Sequence, residues 1–545
     1  MEHLEHIFIF AHNTDFDIKV LGGIDFFIKN GYEVKSFYVE GCRFVLKLQN
    51  EKKIIEILDT MNYIPLSLKE IGKSIGLNKM EIDFNNCSKE YLKEYCLNDC
   101  EIVFLFIKKL LEFLEEFQLS QLKPTVSSLS LNIFRHKFYD IKNKPFYVHA
   151  WKSVIELERM SYKGGITDCF KIGIFKDKQF KLDINSMYPK QMRDNDFPSK
   201  LLYYRDINHI KKETLIKYFF KYFDTKLIIA RCKIYLPKKY SYILTKVTID
   251  SEKKSMFLWG TYINTLTTPE LKFVMKYGKI LEIYNLAIYD KANIFKDFVN
   301  FFVDQKVKFE KEGNIAYRLF CKTILNSLYG KFGQTTKTYI PVINNKYEFS
   351  SKYIIDTVND DSFITMSLGN RTFEVNNSGN NSFDSSVSIS SFVTAYARMN
   401  LVDLILKAKR ENVYYVDTDS IIVNEKGFNN LKNEIHQTEL GKLKLEETNF
   451  INEENIIYPC TYYRPKYYIF NNVEKCKGVK KNSEKIFEDD NLLVIKQEQF
   501  SKFNSSLRKK EYDRMMVIDM IKNIDKKYDK GIVKNGVVEP YEVKI

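Results

Sequence analysis

The chain has 545 residues, and 84 lysines and arginines against 70 aspartates and glutamates leave a formal charge of +14. That length exceeds one compact core and implies two to four domains with clefts between them. The basic balance suits a polyanionic partner, although a lysine-rich, AT-biased coding sequence would produce it too. Nine cysteines are scattered, and the closest group, Cys87, Cys96 and Cys100, lacks the CxxC spacing and histidines of a structural zinc site, which points to reduced thiols. No run reaches the roughly 18 apolar residues that span a bilayer. The start MEHLEH is neither a secretory signal nor an Arg-rich transit peptide. The expectation is a soluble protein with no membrane partner.

Residues 1–120 alternate short apolar runs (7–11 and 37–48) with a helical pattern over 101–117, an α/β signature. This segment carries Asn13, Phe16 and Asp17 beside His12, then Ser67 and Leu68 in SLKEI, Lys79, and Tyr95 with Asp99. Residues 121–165 connect, through a Pro/Ser-containing stretch at 123–130, to YKGG, where Gly164 and Gly165 predict a tight turn after Tyr162. From Lys181 onward the character is mixed α and β, and FKLDINSMYPKQM predicts a strand ending in Asp183, followed by a turn carrying Tyr188 and Pro189.

Residues 298–334 end in RLFCKTILNSLYGKFGQ, helical until Gly330, a common terminator. Lys322, Asn326 and Tyr329 stand at offsets of four and three and share one helical face, with Arg318 one turn earlier. A cation, an amide and an aromatic on one stripe suit a nucleoside triphosphate; a solvated amphipathic helix would read the same way. Residues 335–395 include a Ser/Asn/Gly-rich stretch, 367–392, expected to be a long hairpin or loop.

In 396–470, YYVDTDSI places Asp417 and Asp419 two apart, a spacing that brings two carboxylates together on one edge of a sheet or hairpin. Such a pair suits hard divalent cations, and Asp183 at a strand end would complete a two-metal site. YYRPKYYIF then puts Lys466 and Tyr468 two apart on one strand face, where they would hold a primer phosphate and sugar. Residues 471–545 close the chain.

Four segments in this order, DxxSxYP (183–189), KxxxNSxYG (322–330), DTDS (417–420) and KxY (466–468), resemble the family B DNA polymerases. YKGG resembles the YxGG linker of their protein-primed branch, found in small phages and linear plasmids. The resemblance implies an α+β multidomain chain: a partial RNase H-like α/β exonuclease domain (1–120), a linker (121–165), a right-hand polymerase with palm start and first family insertion (166–297), fingers (298–334), second insertion (335–395), palm (396–470) and thumb (471–545). It implies two Mg²⁺ ions, with Mn²⁺ as a substitute, on Asp183, Asp417 and Asp419. Tyr188 would gate against a ribose 2′-OH, and Lys322, Arg318, Asn326 and Tyr329 would bind the dNTP. Tyr162, Gly164, Gly165, Lys466, Tyr468, Ser67 and Leu68 would contact primer and DNA.

Over residues 7–115 the chain resembles the family's 3′–5′ exonuclease, with NxxxFD at Asn13, Phe16 and Asp17, YxxxD at Tyr95 and Asp99, and Lys79 before it. The Asp-x-Glu strand that precedes NxxxFD in the family has no counterpart among the twelve residues before Asn13, so proofreading is expected to be absent or impaired. The leading expectation is a monomeric DNA-directed DNA polymerase acting on template, primer and dNTPs, primed by a terminal protein and replicating a small linear DNA. It would act in a mitochondrion, or otherwise in the cytoplasm of a phage or plasmid host. A non-catalytic DNA-binding relic of a mobile element is the alternative.

Overall fold

A computed structural model describes residues 4–545 except 141, 143–145, 250, 336–337, 343–345, 357–360, 377–384, 452–455 and 513–516. The chain folds into two compact units, one from 1–139, 300–383 and 498–519, the other from 140–299, 384–497 and 520–545.

In the first unit, strand Glu5–Ala11 pairs in parallel with Lys53–Asp59, and Arg43–Gln49 and Glu33–Glu40 complete a four-stranded sheet. The alternation in RFVLKLQ explains the pairing face: Phe44, Leu46 and Leu48 are buried while the residues between them stay partly open. Strand Glu5–Ala11 pairs on one side only among the described residues, and leaves Phe8 and Ile9 exposed. Helix Lys89–Glu116 starts well before the predicted 101, because Ser88 caps it by accepting from the Tyr91 N–H. Its buried side is Ile102, Phe106, Leu110 and Phe113, spaced for one helical face.

Helices Lys296–Lys311 and Ile315–Phe332 follow in the same stretch of chain. The second runs past Gly330, which keeps a helical backbone and has open space where a Cβ would stand; termination comes at Gly333 instead. The predicted boundary at 298 falls inside the first of these helices.

Strands Thr338–Val342, Arg371–Asn376, Asp361–Gly369 and Glu348–Asp356 form a sheet in that order, so the first part of the expected hairpin or loop is a hairpin built into a sheet. Met366, Leu368, Phe373 and Val375 from it join the core of the first sheet, as do Phe503, Leu507 and Tyr512. Alternating apolar residues in FITMSL outweighed the Ser and Asn content around them; 377–384 of the expected loop lie outside the described residues. Residues 498–519, assigned by sequence to the thumb, belong to this unit through the same core.

The second unit is built on a five-stranded antiparallel sheet in the order Leu443–Thr448, Gln179–Ile184, Ser420–Asn424, Val413–Asp417 and Thr167–Cys169. Helix Val387–Ala408 packs beneath it, with Leu401, Val402 and Ile405 against Leu182, Val416 and Ile421. This helix is long and apolar enough to cross a membrane by length and composition, which corrects the expectation that no such run exists; 72% of its apolar window is buried inside the protein, as in a core helix. It also crosses the expected boundary at 395/396, since one continuous apolar stretch makes one helix.

Residues 197–292 add a sheet of five strands, joined in parallel by Tyr541–Lys544 from the end of the chain. Helices Lys212–Tyr222 and Thr268–Tyr277 pack into its core through Leu215, Phe219, Leu271 and Val274.

Candidate functional site

Asp417 ends its strand opposite Ser420, and the chain reverses through Thr418 and Asp419. The two aspartates therefore flank a tight hairpin turn rather than alternate along one strand. The Asp419 N–H donates to the Asp417 carbonyl at 2.7 Å, which forces Thr418 to a φ of 62°. A β-branched residue there costs about 1–3 kcal/mol and persists only when its surroundings impose it.

The neighbouring segment does so: the Thr418 N–H donates to the Ile166 carbonyl at 2.7 Å, and Gly165 lies against Thr418. A Cβ on Gly165 would stand 2.9 Å from Thr418 Cγ2. Neither Gly164 nor Gly165 has a left-handed φ. The YKGG glycines thus do not make the predicted turn, and Gly165 instead permits a close approach.

Asp183 pairs with Ser420 across the sheet, and the Ile184 N–H donates to the Asp419 carbonyl at 2.7 Å. The three sequence-predicted carboxylates are therefore carried by adjoining strand ends of one sheet. Burial raises the Asp419 pKa, and the charges of Asp417 and Glu446 raise it further. A divalent cation would relieve that repulsion, and carboxylate oxygens are the ligands hard cations prefer. Among the described residues no group of three or more His, Cys, Asp or Glu side chains is already gathered closely enough to hold a metal ion.

Lys466 sits in a hairpin turn with a φ of 66°, before strand Tyr467–Phe470, so it does not share a strand face with Tyr468 as the KxY spacing predicts. Pro465 ends the preceding pairing and the reversal follows. The Lys466 N–H donates to the Tyr415 hydroxyl at 3.0 Å, and its ammonium bonds both Asp417 oxygens, with Oδ2 at 2.6 Å. Asp417 also accepts from Thr167 Oγ1 at 3.1 Å. Tyr468 is buried behind the pair, its ring 4.7 Å from that of Tyr415. Beside Asp417 opens a cavity of about 740 Å³ lined by Lys466, Lys475, Lys477, Lys480, Lys481 and Lys485 among others.

Tyr188 lies in the first turn of helix Met187–Asp194, not in an irregular turn, and packs partly against the core. Pro189 fits there because the first turn of a helix has no intrahelical use for its missing N–H.

The remaining nucleotide candidates belong to the other unit. On helix Ile315–Phe332, Lys322 and Asn326 are exposed and Arg318 and Tyr329 half-buried, while Phe320, Ile324 and Leu328 fill the core. Lys306, on the preceding helix, escaped the sequence reading. Burial pushes its pKa down, Glu310 pulls it back, and Lys322 and Arg318 push it down again. Lys306 therefore lies in the positive field of Lys322 and Arg318, a field that a polyphosphate would neutralise. No spacing rule connects Lys306 to the motif helix; only the packing of two helices does.

Residues 79–411, more than half of the chain, match the family model described as DNA polymerase type B, organellar and viral. The chain belongs to that family. A probable DNA polymerase of Neurospora intermedia is 26% identical over 65% of this chain and 36% of its own length. The DNA-directed DNA polymerase of Enterobacteria phage PRD1 is 26% identical over 81% of this chain and 70% of its own. The chain thus spans about a third of the Neurospora relative. Among solved structures, Phi29 DNA polymerase matches with a TM-score of 0.65 at 18% identity, covering 95% of this chain and 91% of that one. The fold is accordingly that of a type B polymerase.

The exonuclease-like residues of this family member lie in the first unit. Asn13, at a φ of 68°, precedes helix Thr14–Val20, which carries Phe16 and Asp17. Burial raises the Asp17 pKa to about 6, aided by the charge of Asp59. Asp59 was not singled out from sequence; it is 2% exposed and accepts the N–H groups of Asn13 (3.2 Å), Thr14 (2.7 Å) and Met61 (2.8 Å). Its oxygens hold a backbone corner together. Lys79 pairs with Asp99 and lies 4.3 Å from the centre of the Tyr95 ring. Ser67 caps helix Leu68–Ile75 in a reciprocal box with Glu70, a local structural use for the hydroxyl expected to touch DNA.

Proposed function

We propose that this chain is a DNA-directed DNA polymerase that adds dNTPs to a primer 3′-OH. The observation that carries this reading is the joining of Asp183 to the Asp417-Thr418-Asp419 turn on adjacent strand ends, linked by the 2.7 Å bond from Ile184 to Asp419. Further support comes from family membership and from a Phi29 DNA polymerase of the same fold, solved in complex with primer-template DNA and incoming nucleotide substrates.

Asp183, Asp417 and Asp419 would hold two divalent cations, Mg²⁺ or Mn²⁺ in its place, which supply activation of the attacking hydroxyl and compensation of charge on the phosphates. Lys322, Arg318 and Lys306 neutralise the triphosphate, and Asn326 and Tyr329 shape the site around the nucleotide. Tyr188, anchored in the first turn of its helix, excludes a 2′-OH. Lys466, fixed at its amide by Tyr415, would turn its ammonium from Asp417 to the primer backbone once Asp417 holds a cation, and the lysine-lined cavity beside it would carry the duplex phosphates. The primer oxygen displaces pyrophosphate in line, so most of the catalysis is positioning and charge stabilisation.

Fungal and phage relatives support a protein-primed mode on a small linear DNA, with a terminal protein as partner and a mitochondrial or phage-host setting. In the exonuclease-like part, Asp99 is engaged by Lys79 and Asp59 by backbone groups, which supports 3′–5′ hydrolysis being absent or impaired. Template-directed extension with DNA and RNA templates, and with dNTPs and rNTPs, tests it. Extension on DNA with dNTPs is expected; extension confined to an RNA template or to rNTPs would sink it.

A further inference from the structure

The segment that braces the acidic turn is itself held by buried charge. Arg398, 1% exposed in helix Val387–Ala408, donates through Nη1 to the carbonyls of Lys163 at 2.7 Å and Gly164 at 3.0 Å. Its Nη2 donates to Glu270 Oε1 at 2.8 Å. Lys163, also buried, donates to the Thr265 carbonyl at 3.0 Å and lies 3.6 Å from Glu270. Glu270 has no exposed surface, and its other oxygen accepts from the N–H and hydroxyl of Thr267, each at 3.1 Å. Burial opposes its charge, yet Lys163 and Arg398 hold it below the usual carboxylate range, so the anion is maintained.

One carboxylate thus balances two buried cations and orients a guanidinium fork on two backbone carbonyls. Directly downstream of those carbonyls, Gly165 lies against Thr418, Ile166 accepts the Thr418 N–H, and Thr167 donates to Asp417. The path from Glu270 to the acidic turn is continuous, and every contact in it lies within one unit of the fold. Glu270 comes from the helix Thr268–Tyr277, far in sequence from the motifs it would serve.

We propose that Glu270 is a positioning residue: by orienting Arg398 it clamps the Lys163 and Gly164 carbonyls, and the segment so fixed holds Thr418 left-handed and sets the separation of Asp417 and Asp419. The functional consequence rests on the polymerase reading; the clamp itself does not. A loosened clamp lets Thr418 relax to a right-handed or extended backbone, which swings the Asp419 carboxylate away from Asp417 and Asp183.

Hydrogen–deuterium exchange on the full chain tests this, comparing native protein with Glu270→Gln without nucleotide or added metal. In the variant, amides of the 413–424 peptide exchange at least tenfold faster, while those of the 460–470 hairpin are unchanged. Primer extension in parallel shows kcat down at least tenfold with the dNTP KM within threefold. Unchanged exchange at 413–424, or equal acceleration at 460–470, overturns the proposal. If Glu270→Gln does not fold, Gly165→Ala decides: it accelerates the same amides, and adding Thr418→Gly restores their protection. Failure of that restoration overturns the brace. A native chain that extends no primer, with exchange changed as expected, refutes the polymerase reading and leaves the clamp standing.

Discussion

Replacing Asp168 by asparagine is expected to stabilise the second unit at neutral and alkaline pH. Asp168 lies on strand Thr167–Cys169, paired with Val416, and is 5% exposed. Burial raises its pKa from 3.8 to about 6, although Lys530 and the Tyr528 hydroxyl, which donates at 2.8 Å, offset part of that penalty. A raised folded-state value means that the protonated acid is the form the fold prefers. The stability it contributes is fully present below about 3.8 and is lost as pH rises through about 6. The whole interval is worth about 3 kcal/mol.

Asparagine keeps an oxygen for Tyr528 and never ionises, and Lys530 retains its bond to the Thr167 carbonyl at 3.1 Å. Its advantage over aspartate should therefore grow by about 2 kcal/mol between pH 4 and pH 8. Urea unfolding followed by circular dichroism at both pH values measures it as a change in midpoint at constant slope. An advantage that is flat with pH, or that shrinks toward pH 8, would refute the assignment of a burial-dominated carboxyl.

Tyr188→Val is expected to raise rNTP incorporation relative to dNTP by about tenfold or more, read by single-nucleotide extension; an unchanged ratio removes Tyr188 from the sugar gate. Lys306→Ala should raise the dNTP KM five- to thirtyfold, the equivalent of about 1–2 kcal/mol, with a smaller effect on DNA binding. Gly72→Ala would place a methyl inside contact distance of the Leu77 carbonyl and close to Ile102. It should lower the stability of the first unit by about 1–3 kcal/mol in denaturant unfolding, and an unshifted midpoint would show that the helix end moves freely.

The parts of the site that are contiguous in sequence were legible there. DTDS announced that its two carboxylates come together, though by a tight turn and not by alternation along a strand, KxxxNSxYG announced its helix, and FKLDI the strand that carries Asp183 near its end, because helical offsets and apolar alternation are local rules. What those rules missed is where packing or a single backbone angle decides. Helix Ile315–Phe332 passed through Gly330 because its neighbours Leu328 and Phe332 are buried and carry the helix on.

Lys466 left the strand because a reversal follows Pro465, which puts its ammonium on Asp417 rather than beside Tyr468. Gly165 looked like a turn residue and proved to be a contact residue, since a missing Cβ serves either purpose and the sequence does not say which. Lys306, Asp59 and Glu270 carry no motif; each is identified by what a distant segment brings against it. The Ser/Asn/Gly-rich region read as a hairpin or loop from its composition; its first part is a strand hairpin whose alternation of Ile364, Met366 and Leu368 carries it into a sheet that completes the core of the first unit.

We propose that Asp183 and the carboxylates of the 413–424 hairpin catalyse nucleotide addition. The most direct measurement is rapid-quench extension of a labelled primer on a DNA template with Mg²⁺ and dNTPs, native chain against Asp419→Ala, with DNA affinity measured alongside. Extension by the native chain is expected, with a loss of about a thousandfold or more in the variant and primer-template affinity within severalfold. Equal extension by both, or none by a folded native chain that binds DNA, would contradict it.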